Sequence, residues 1–286
     1  MSLDHYNLWV DIYELLDFKS QLSFTFLNIA ISNSFLYITK PFNMYVNTTK
    51  PIKKFFTKIT HVVSFFDRTR TYIKDLSFVR NLKILHANEH CCIDQQSIEK
   101  LDLVELHIYN NPDITDISFM KNLKILNAES WCGIDQKRIL GLDLTKFYAS
   151  NNVAIRNVSF MKNLKVLHVM GDCGVAQKGI EGLDLVVLVC DGNSKITNVS
   201  FMRNLKILYA SGNCGIDQNG ILGLDLIELD VDDNDKIFDV SFMRNLKILS
   251  ACGNCGITQK SINGLDLISL DSHRNNKITT WSFDKS

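Results

Sequence analysis

From Leu82 onward the apolar side chains fall on a fixed grid. One coil places Leu246, Leu249, Ala251, Asn254 and Ile257, and the next places Leu267, Leu270, Ser272, Asn275 and Ile278. Both have the spacing L-x-x-L-x-(small or apolar)-x-x-N-x-x-I. The same grid falls on Leu103, Leu106, Ile108, Asn111 and Ile114, and on Leu226, Leu229, Val231, Asn234 and Ile237. Ten such coils run from Leu82 to the C-terminus. Long coils (Leu82 to Leu103 is the first) alternate with short ones that are one position shorter (Leu103 to Leu123 is the first). Alternation at positions four and six predicts a short strand with those two side chains inward. Asn at position nine turns the chain off the sheet and offers its amide to backbone groups that would otherwise be buried unpaired. Ile at position twelve fills the next side of the core. The stretch left for the return path scarcely holds a helix of about three turns, so 3₁₀ turns and extended pieces are expected there.

Coils pair into a longer, doublet period, marked by the evenly spaced Ser77, Ser118, Ser159, Ser200, Ser241 and Ser282, each followed by Phe. Segments such as Asp239–Leu249 and Asn198–Leu208 are nearly the same text. Such periods signify stacked units that share one elongated core. The grid resembles the leucine-rich repeat. That resemblance implies an α/β solenoid: a curved parallel sheet on the concave side, short 3₁₀ or irregular segments on the convex side, and a ribbed surface in place of a deep pocket.

Other constants of the period read as framework. Phe78, Phe119, Phe160, Phe201, Phe242 and Phe283 are expected to stack as a phenylalanine spine. Gly133, Gly174, Gly215 and Gly256 are assigned to turns that need positive φ. Asn81, Asn122, Asn163, Asn204 and Asn245 stand just before each strand of one coil type. Lys83, Lys124, Lys165, Lys206 and Lys247 recur in that coil type, and Asp102, Asp143, Asp184, Asp225 and Asp266 recur near the same height in the other. With neighbouring strands ~4.8 Å apart, opposite charges become neighbours and like charges stand two coils apart. The ladders are expected to be solvated, each rung worth little.

Cys91, Cys132, Cys173, Cys214 and Cys255 follow the same period. Two coils separate successive members by ~9.6 Å, beyond the ~7 Å reach of a disulfide, so the column reads as reduced thiols packed as small apolar groups. Cys190, at an inward strand position, reads the same way. The cysteine-containing type of leucine-rich repeat carries a Cys near this point, at position nine where this chain has it at ten. His86, His90, Cys91 and Cys92 are zinc-type ligands close in sequence. Adjacent Cys91 and Cys92 are poorly placed to face one ion, and each residue has a framework role, so neither a metal nor another cofactor is assigned.

Composition fits a folded, neutral chain. Its 286 residues hold 31 basic and 31 acidic side chains, so no global field favours nucleic acid or an anionic membrane. Hydrophobic residues make up 46%, enough for an extended core, and three prolines with 14 glycines leave no low-complexity linker. Nine Lys or Arg stand between Lys40 and Arg80 and six carboxylates within Asp225–Asp235. The first segment reads as a solvated flank or as a contact for an acidic partner or RNA. The N-terminus, MSLDHYNLWVDIYE, lacks the basic start and small-residue cleavage site of a secretory signal, and Ser23–Ile38 is too short and too polar to span a bilayer. An intracellular location follows as the expectation.

The N-terminal part divides into residues 1–40, a helical cap, and residues 41–81, two degenerate capping repeats, ahead of the solenoid at 82–286. Val62, Phe65, Arg70 and Ile73 lie one doublet period before Leu103, Leu106, Asn111 and Ile114. Terminal repeats must differ, since an uncapped core end would face water. Leu8–Phe18 has amphipathic spacing. Leu15–Asn28, LLDFKSQLSFTFLN, resembles an F-box, whose helices dock on the adaptor of a cullin-type ubiquitin ligase. On that resemblance the adaptor-binding residues would be Leu15, Leu16, Phe18, Leu22 and Leu27. The Leu-Pro opening of that family is absent, and a plain helical cap remains the alternative. The Asn-, Lys-, Ile- and Phe-rich repeats are similar to those encoded by giant DNA viruses of amoebae, which would imply host cytoplasm.

The repeats also compare with one another. Framework positions hardly change between copies, while outward strand positions three, five and seven change freely. They supply a mixed concave face: Glu105, His107, Tyr109, Lys146, Tyr148, Asp191, Tyr209, Glu228, Asp230, Asp232, Asp271 and His273. Aromatics and histidines lie toward its N-terminal end and carboxylates toward its C-terminal end, where a macromolecule with a basic patch could rest. The other reading of this variation is drift on an unused face. No phosphate-binding loop, nucleophile elbow or His-Glu metal helix occurs, so an enzyme is not expected. The expected function is a protein-interaction scaffold, either as the substrate-recognition subunit of a ubiquitin ligase or standing alone with residues 1–40 as a cap.

Overall fold

In a computed structural model of the chain, residues 61–62, 76, 82–89 and 93–279 are described. All belong to one compact unit, Phe42–Ser286. Its spine is a single parallel sheet of 11 strands in sequence order, β1 to β11. The strands are β1 (His61–Val62), β2 (Ile84–His86), β3 (Glu105–His107), β4 (Ile125–Asn127), β5 (Lys146–Tyr148), β6 (Val166–His168), β7 (Val187–Val189), β8 (Ile207–Tyr209), β9 (Glu228–Asp230), β10 (Ile248–Ser250) and β11 (Ser269–Asp271). Sequential order without crossover, one short strand per coil, is the leucine-rich repeat solenoid. Return segments are single turns: α-helical pieces at Gln95–Ile98, Gln177–Ile180 and Gln259–Ile262, and 3₁₀ turns at Gln136–Ile139 and Asn219–Ile221.

The predicted core positions are inward. Leu85, Ala87, Leu106, Ile108, Leu126, Leu208 and Leu229 are all 0% exposed. Among the described residues phenylalanine does not form the expected spine. Phe119 and Phe201 are 39% and 38% exposed, and Phe160 and Phe242 are only partly buried against the core. The residues after them, Met120, Met161, Met202 and Met243, are buried instead. The backbone N–H of Met120 closes a turn on Ile117 O at 3.0 Å, and the other three repeat it. That turn carries the flexible thioether into the core and leaves the ring at the rim. The adjoining Ser is held by the residue two before it: Asn157 Oδ1 accepts from the Ser159 N–H at 2.9 Å and its hydroxyl at 2.7 Å.

Position nine differs between the two coil types. In short coils Asn111, Asn152, Asn193, Asn234 and Asn275 are buried. Asn193 Nδ2 donates to Val169 O at 2.9 Å and Val175 O at 3.1 Å, and its Oδ1 accepts from the Lys195 N–H at 3.0 Å. In long coils position nine turns outward: Trp131 is 86% exposed, and Asn254 does not take the expected role. The cysteine at position ten replaces it. The thiols of Cys132, Cys173 and Cys255 each donate at 3.2 Å to a carbonyl four residues earlier. Asn152 and Asn193 also donate to the sulfurs of Cys132 and Cys173 at 3.3 Å. Amide and thiol thus alternate up one column. Burial pushes the Cys132 thiol up to about 11 and raises those of Cys173 and Cys255. Cys190 and Cys214, in neighbouring coils but different columns, bring their sulfurs to 3.6 Å, a pairing hidden from a reading that compares only equivalent positions.

Glycine at 133, 174, 215 and 256 is needed for closeness, not for positive φ. None is among the positive-φ residues, and a Cβ on Gly133 would collide with the carbonyl oxygens of Pro112 and Ile114 in the preceding coil. The Gly133 N–H bonds Asn111 O across the same gap at 3.2 Å. Left-handed backbone occurs at position eight of all ten coils: Glu89, Asn110, Ser130, Asn151, Gly171, Gly192, Gly212, Asp233, Gly253 and Arg274, with φ between 53° and 67°.

The charge ladders sit at the surface as expected. Lys124 Nζ lies 2.8 Å from Asp143 Oδ2 and Lys247 Nζ 2.7 Å from Asp266 Oδ2. The Asn column serves the same carboxylates, Asn122 Nδ2 donating to both Asp102 oxygens at 3.0 and 2.8 Å. A further column went unread in the sequence. Gln95, Gln136, Gln177 and Gln218 each clamp the next coil: Gln177 Nε2 donates to Asn198 O at 2.9 Å, and its Oε1 accepts the N–H groups of Thr197 and Asn198 at 3.0 and 2.9 Å.

The degenerate coil before β2 is out of the expected register. Val62 pairs with Leu85 and therefore occupies position four, not position one. The step from His61 to its partner Ile84 is longer by three than a short coil such as Leu103 to Leu123, so the grid slips by three.

Candidate functional site

Positions three and five of each coil, the two ends of its strand, and position seven just past it, stand opposite the inward side chains and line the outer face of the sheet. Parallel in-register pairing fixes which residues meet. His86 on β2 is the register partner of His107 on β3. Their rings stack with centroids 4.0 Å apart and an interplanar angle of 20°. Glu105, two residues before His107 and on the same face, brings Oε1 to 2.7 Å from His107 Nε2. The side-chain donor atoms of His86, Glu105 and His107 all lie within 4.8 Å of one another. Burial lowers the pKa of His86, His107 adding to the shift and Glu105 opposing it. Tyr109 N–H bonds Asn88 Oδ1 at 2.9 Å.

Lys146 and Tyr148 lie on β5, in the middle of the face. Lys146 is exposed, and Tyr148 meets its register partner His168 edge-on at 4.6 Å and 69°. Burial raises the Tyr148 phenol and lowers the His168 imidazole.

Further along, strands β7 to β9 bring the carboxylates together. Tyr209 on β8 donates its hydroxyl to Glu228 Oε1 on β9, which pushes the phenol up to about 12. Asp191 Oδ1 accepts from the backbone and hydroxyl of Ser211 at 2.8 and 2.7 Å. Asp232 Oδ1 accepts from the Cys252 N–H and the Ser250 hydroxyl, both at 2.7 Å. Asp230 accepts the Asp232 N–H at 3.0 Å. Burial, and then the charges of Asp232, Asp191 and Glu228, push the Asp230 carboxyl up to about 6 against that hydrogen bond. None of the ion pairs among the described residues reaches these four carboxylates.

Of the sequence-predicted face residues, Asp191, Tyr209, Glu228, Asp230 and Asp232 form one group, and Glu105 and His107 another. Lys146 and Tyr148 stand between them. Asp271 and His273 lie at the β11 end, both exposed, where the Cys252 thiol and the His273 N–H lower the Asp271 carboxyl. Ser211, Ser250 and Cys252 are outward residues of the same face by their grid positions; their bonds to Asp191 and Asp232 in the neighbouring coil are what the sequence did not show. Leu15, Leu16, Phe18, Leu22 and Leu27, and likewise His90, Cys91 and Cys92, lie outside the described residues. Among the described residues no helix is long and apolar enough to cross a membrane.

No protein-family model and no curated protein matches the chain. Among solved structures it is similar to the functional domain of InlJ from Listeria monocytogenes, a domain described as including a cysteine ladder. Identity is 16% and the TM-score 0.37, and the match covers 86% of this chain and 56% of that one.

Proposed function

We propose that this protein is a protein-interaction scaffold that receives a basic surface of its partner on the outer face of the sheet, at strands β7 to β9. The supporting observation is the group Asp191, Glu228, Asp230 and Asp232. Four carboxylates are gathered on one face, where burial first and the neighbouring charges after it push the Asp230 carboxyl up to about 6, while no cation among the described residues is ion-paired with them. A lysine or arginine from outside would relieve that repulsion, and carboxylates already oriented by serine and backbone donors lose little freedom on binding it. The fold has long ribs rather than an enclosed cleft, and the carboxylates of this group are held in place by tyrosine, serine and backbone donors. The reading is therefore of binding without catalysis.

Affinity capture followed by cross-linking tests it, comparing the natural chain with an Asp191→Asn, Asp230→Asn, Asp232→Asn variant. Captured proteins should cross-link beside β7 to β9, be lost from the variant and be released as salt rises. Capture unchanged in the variant would refute the acidic face.

A second role, recruitment of a ubiquitin-ligase adaptor through residues 1–40, has the F-box-like run Leu15–Asn28 in its favour. Deletion of residues 1–40 should then abolish adaptor pull-down and spare the partner of the sheet. Insolubility of the truncated chain would favour a plain cap instead.

A further inference from the structure

Two histidines and a carboxylate face one another at the opposite end of the sheet from the acidic group, and the fold fixes all three. His86 and His107 are a register pair on adjacent strands, so the backbone holds their Cα atoms at strand spacing whatever the side chains do. Glu105 is on the same strand as His107 with one residue between, which in a strand means the same face. The three donor atoms converge within 4.8 Å. A tetrahedral ion with bonds of ~2.1 Å needs donors roughly 3.4 Å apart, so the set closes once the two imidazoles turn out of their stacked arrangement and each aims a nitrogen at one point. Two imidazoles and one carboxylate suit a divalent transition ion, whereas calcium and magnesium prefer all-oxygen shells.

We propose that His86, Glu105 and His107 form a binding site for a zinc-class divalent ion on the outer face of the sheet. Nε2 of His107 and Oε1 of Glu105, now 2.7 Å apart, would both turn to the metal in place of each other. His86 supplies the third ligand from β2. The site opens toward solvent, so water or a donor from a bound molecule completes the shell, the arrangement of an accessible ion rather than of a closed structural one. This differs from the motif suggested by the text, His86 with His90, Cys91 and Cys92: the ligands here are one coil apart in sequence and are joined by strand pairing. The proposal does not depend on the acidic group at β7 to β9.

Calorimetric titration of the metal-free full chain with zinc, and cobalt absorption of the same protein, test the site. One ion per chain is expected, with a cobalt ligand-field band and no thiolate charge-transfer band in the near ultraviolet. His107→Gln and His86→Gln should each weaken binding by about 100-fold or more, with unchanged far-ultraviolet circular dichroism. His168→Gln, two strands beyond Asn127, should bind as the natural chain does. Failure of the natural chain to take up zinc at micromolar concentration would overturn the proposal. So would equal uptake by the His86→Gln, His107→Gln double variant, or a thiolate band showing that the ion sits on cysteine.

Discussion

At the scale of single residues, position eight is the most demanding place in each coil. The left-handed backbone there suits glycine, yet four of the ten positions hold Glu89, Ser130, Asp233 and Arg274. Arg274→Gly, at φ 60° on an exposed residue, should raise stability by about 0.5–1 kcal/mol in chemical denaturation, whereas Gly192→Ala at φ 67° should lower it by about 1–2 kcal/mol. Asp230 makes a prediction in pH. Its carboxyl is raised to about 6 in the fold against an ordinary value near 3.9. The folded state therefore holds the proton more tightly, and the associated stability is complete below about pH 4 and lost as pH rises through about 6. Asp230→Asn keeps the oxygen that accepts the Asp232 N–H. It should be more stable than the natural chain at pH 7, by up to about 1 kcal/mol once solvent screening of a half-exposed group is allowed for. The gain should vanish below about pH 4 in denaturation curves at the two pH values.

At the scale of the coil, side-chain amides reinforce the backbone ladder. The ladder continues past the short strands, as where the Gly171 N–H bonds Asp191 O at 2.8 Å, and Asn and Gln columns tie the turns together. Asn193→Ala removes an amide that donates to two carbonyls and the Cys173 sulfur and accepts one N–H in a wholly buried site, and should cost about 2–4 kcal/mol in urea denaturation. Gln177→Ala acts where water can replace the lost bonds and should cost about 1 kcal/mol. These elements also show what the text made legible. Leu and Ile spacing revealed the strands, their order and the inward faces, because burial of a period-two pattern admits one solution. Phe against Met was not legible: both are large and apolar, and only the turn geometry decides which of two adjacent residues points in. Asn254 looked like the position-nine Asn of the short coils, but in the long coils, where Trp131 and Asp172 also stand at that position, the cysteine beside it does the work. On the outer face, membership was readable from alternation, but the meeting of His86 with His107 and of Asp230 with three other carboxylates needed the register.

At the scale of the whole molecule, the alternating column of amides and thiols makes two coils the natural unit. Stability of such an array is a sum of units and of the junctions between them. Removing residues 164–204, one full doublet, keeps the alternation and should leave a chain that still unfolds cooperatively, with a modestly lower melting temperature. Removing residues 185–204 alone deletes half as much yet should destabilise more, since it sets two cysteine-type turns against each other and withdraws Asn193 from the carbonyls of Val169 and Val175. Thermal melts of the two deletions, followed by circular dichroism, should rank them in that order.

The same column bears on how a gene of this kind can lengthen. Slippage by one coil would copy a turn without its complement and leave buried carbonyls facing the wrong donor, so such copies should be eliminated. Slippage by a doublet would insert a segment that is already self-consistent. Growth by even steps follows, and with each step comes a fresh, unconstrained set of outward side chains on which selection can act.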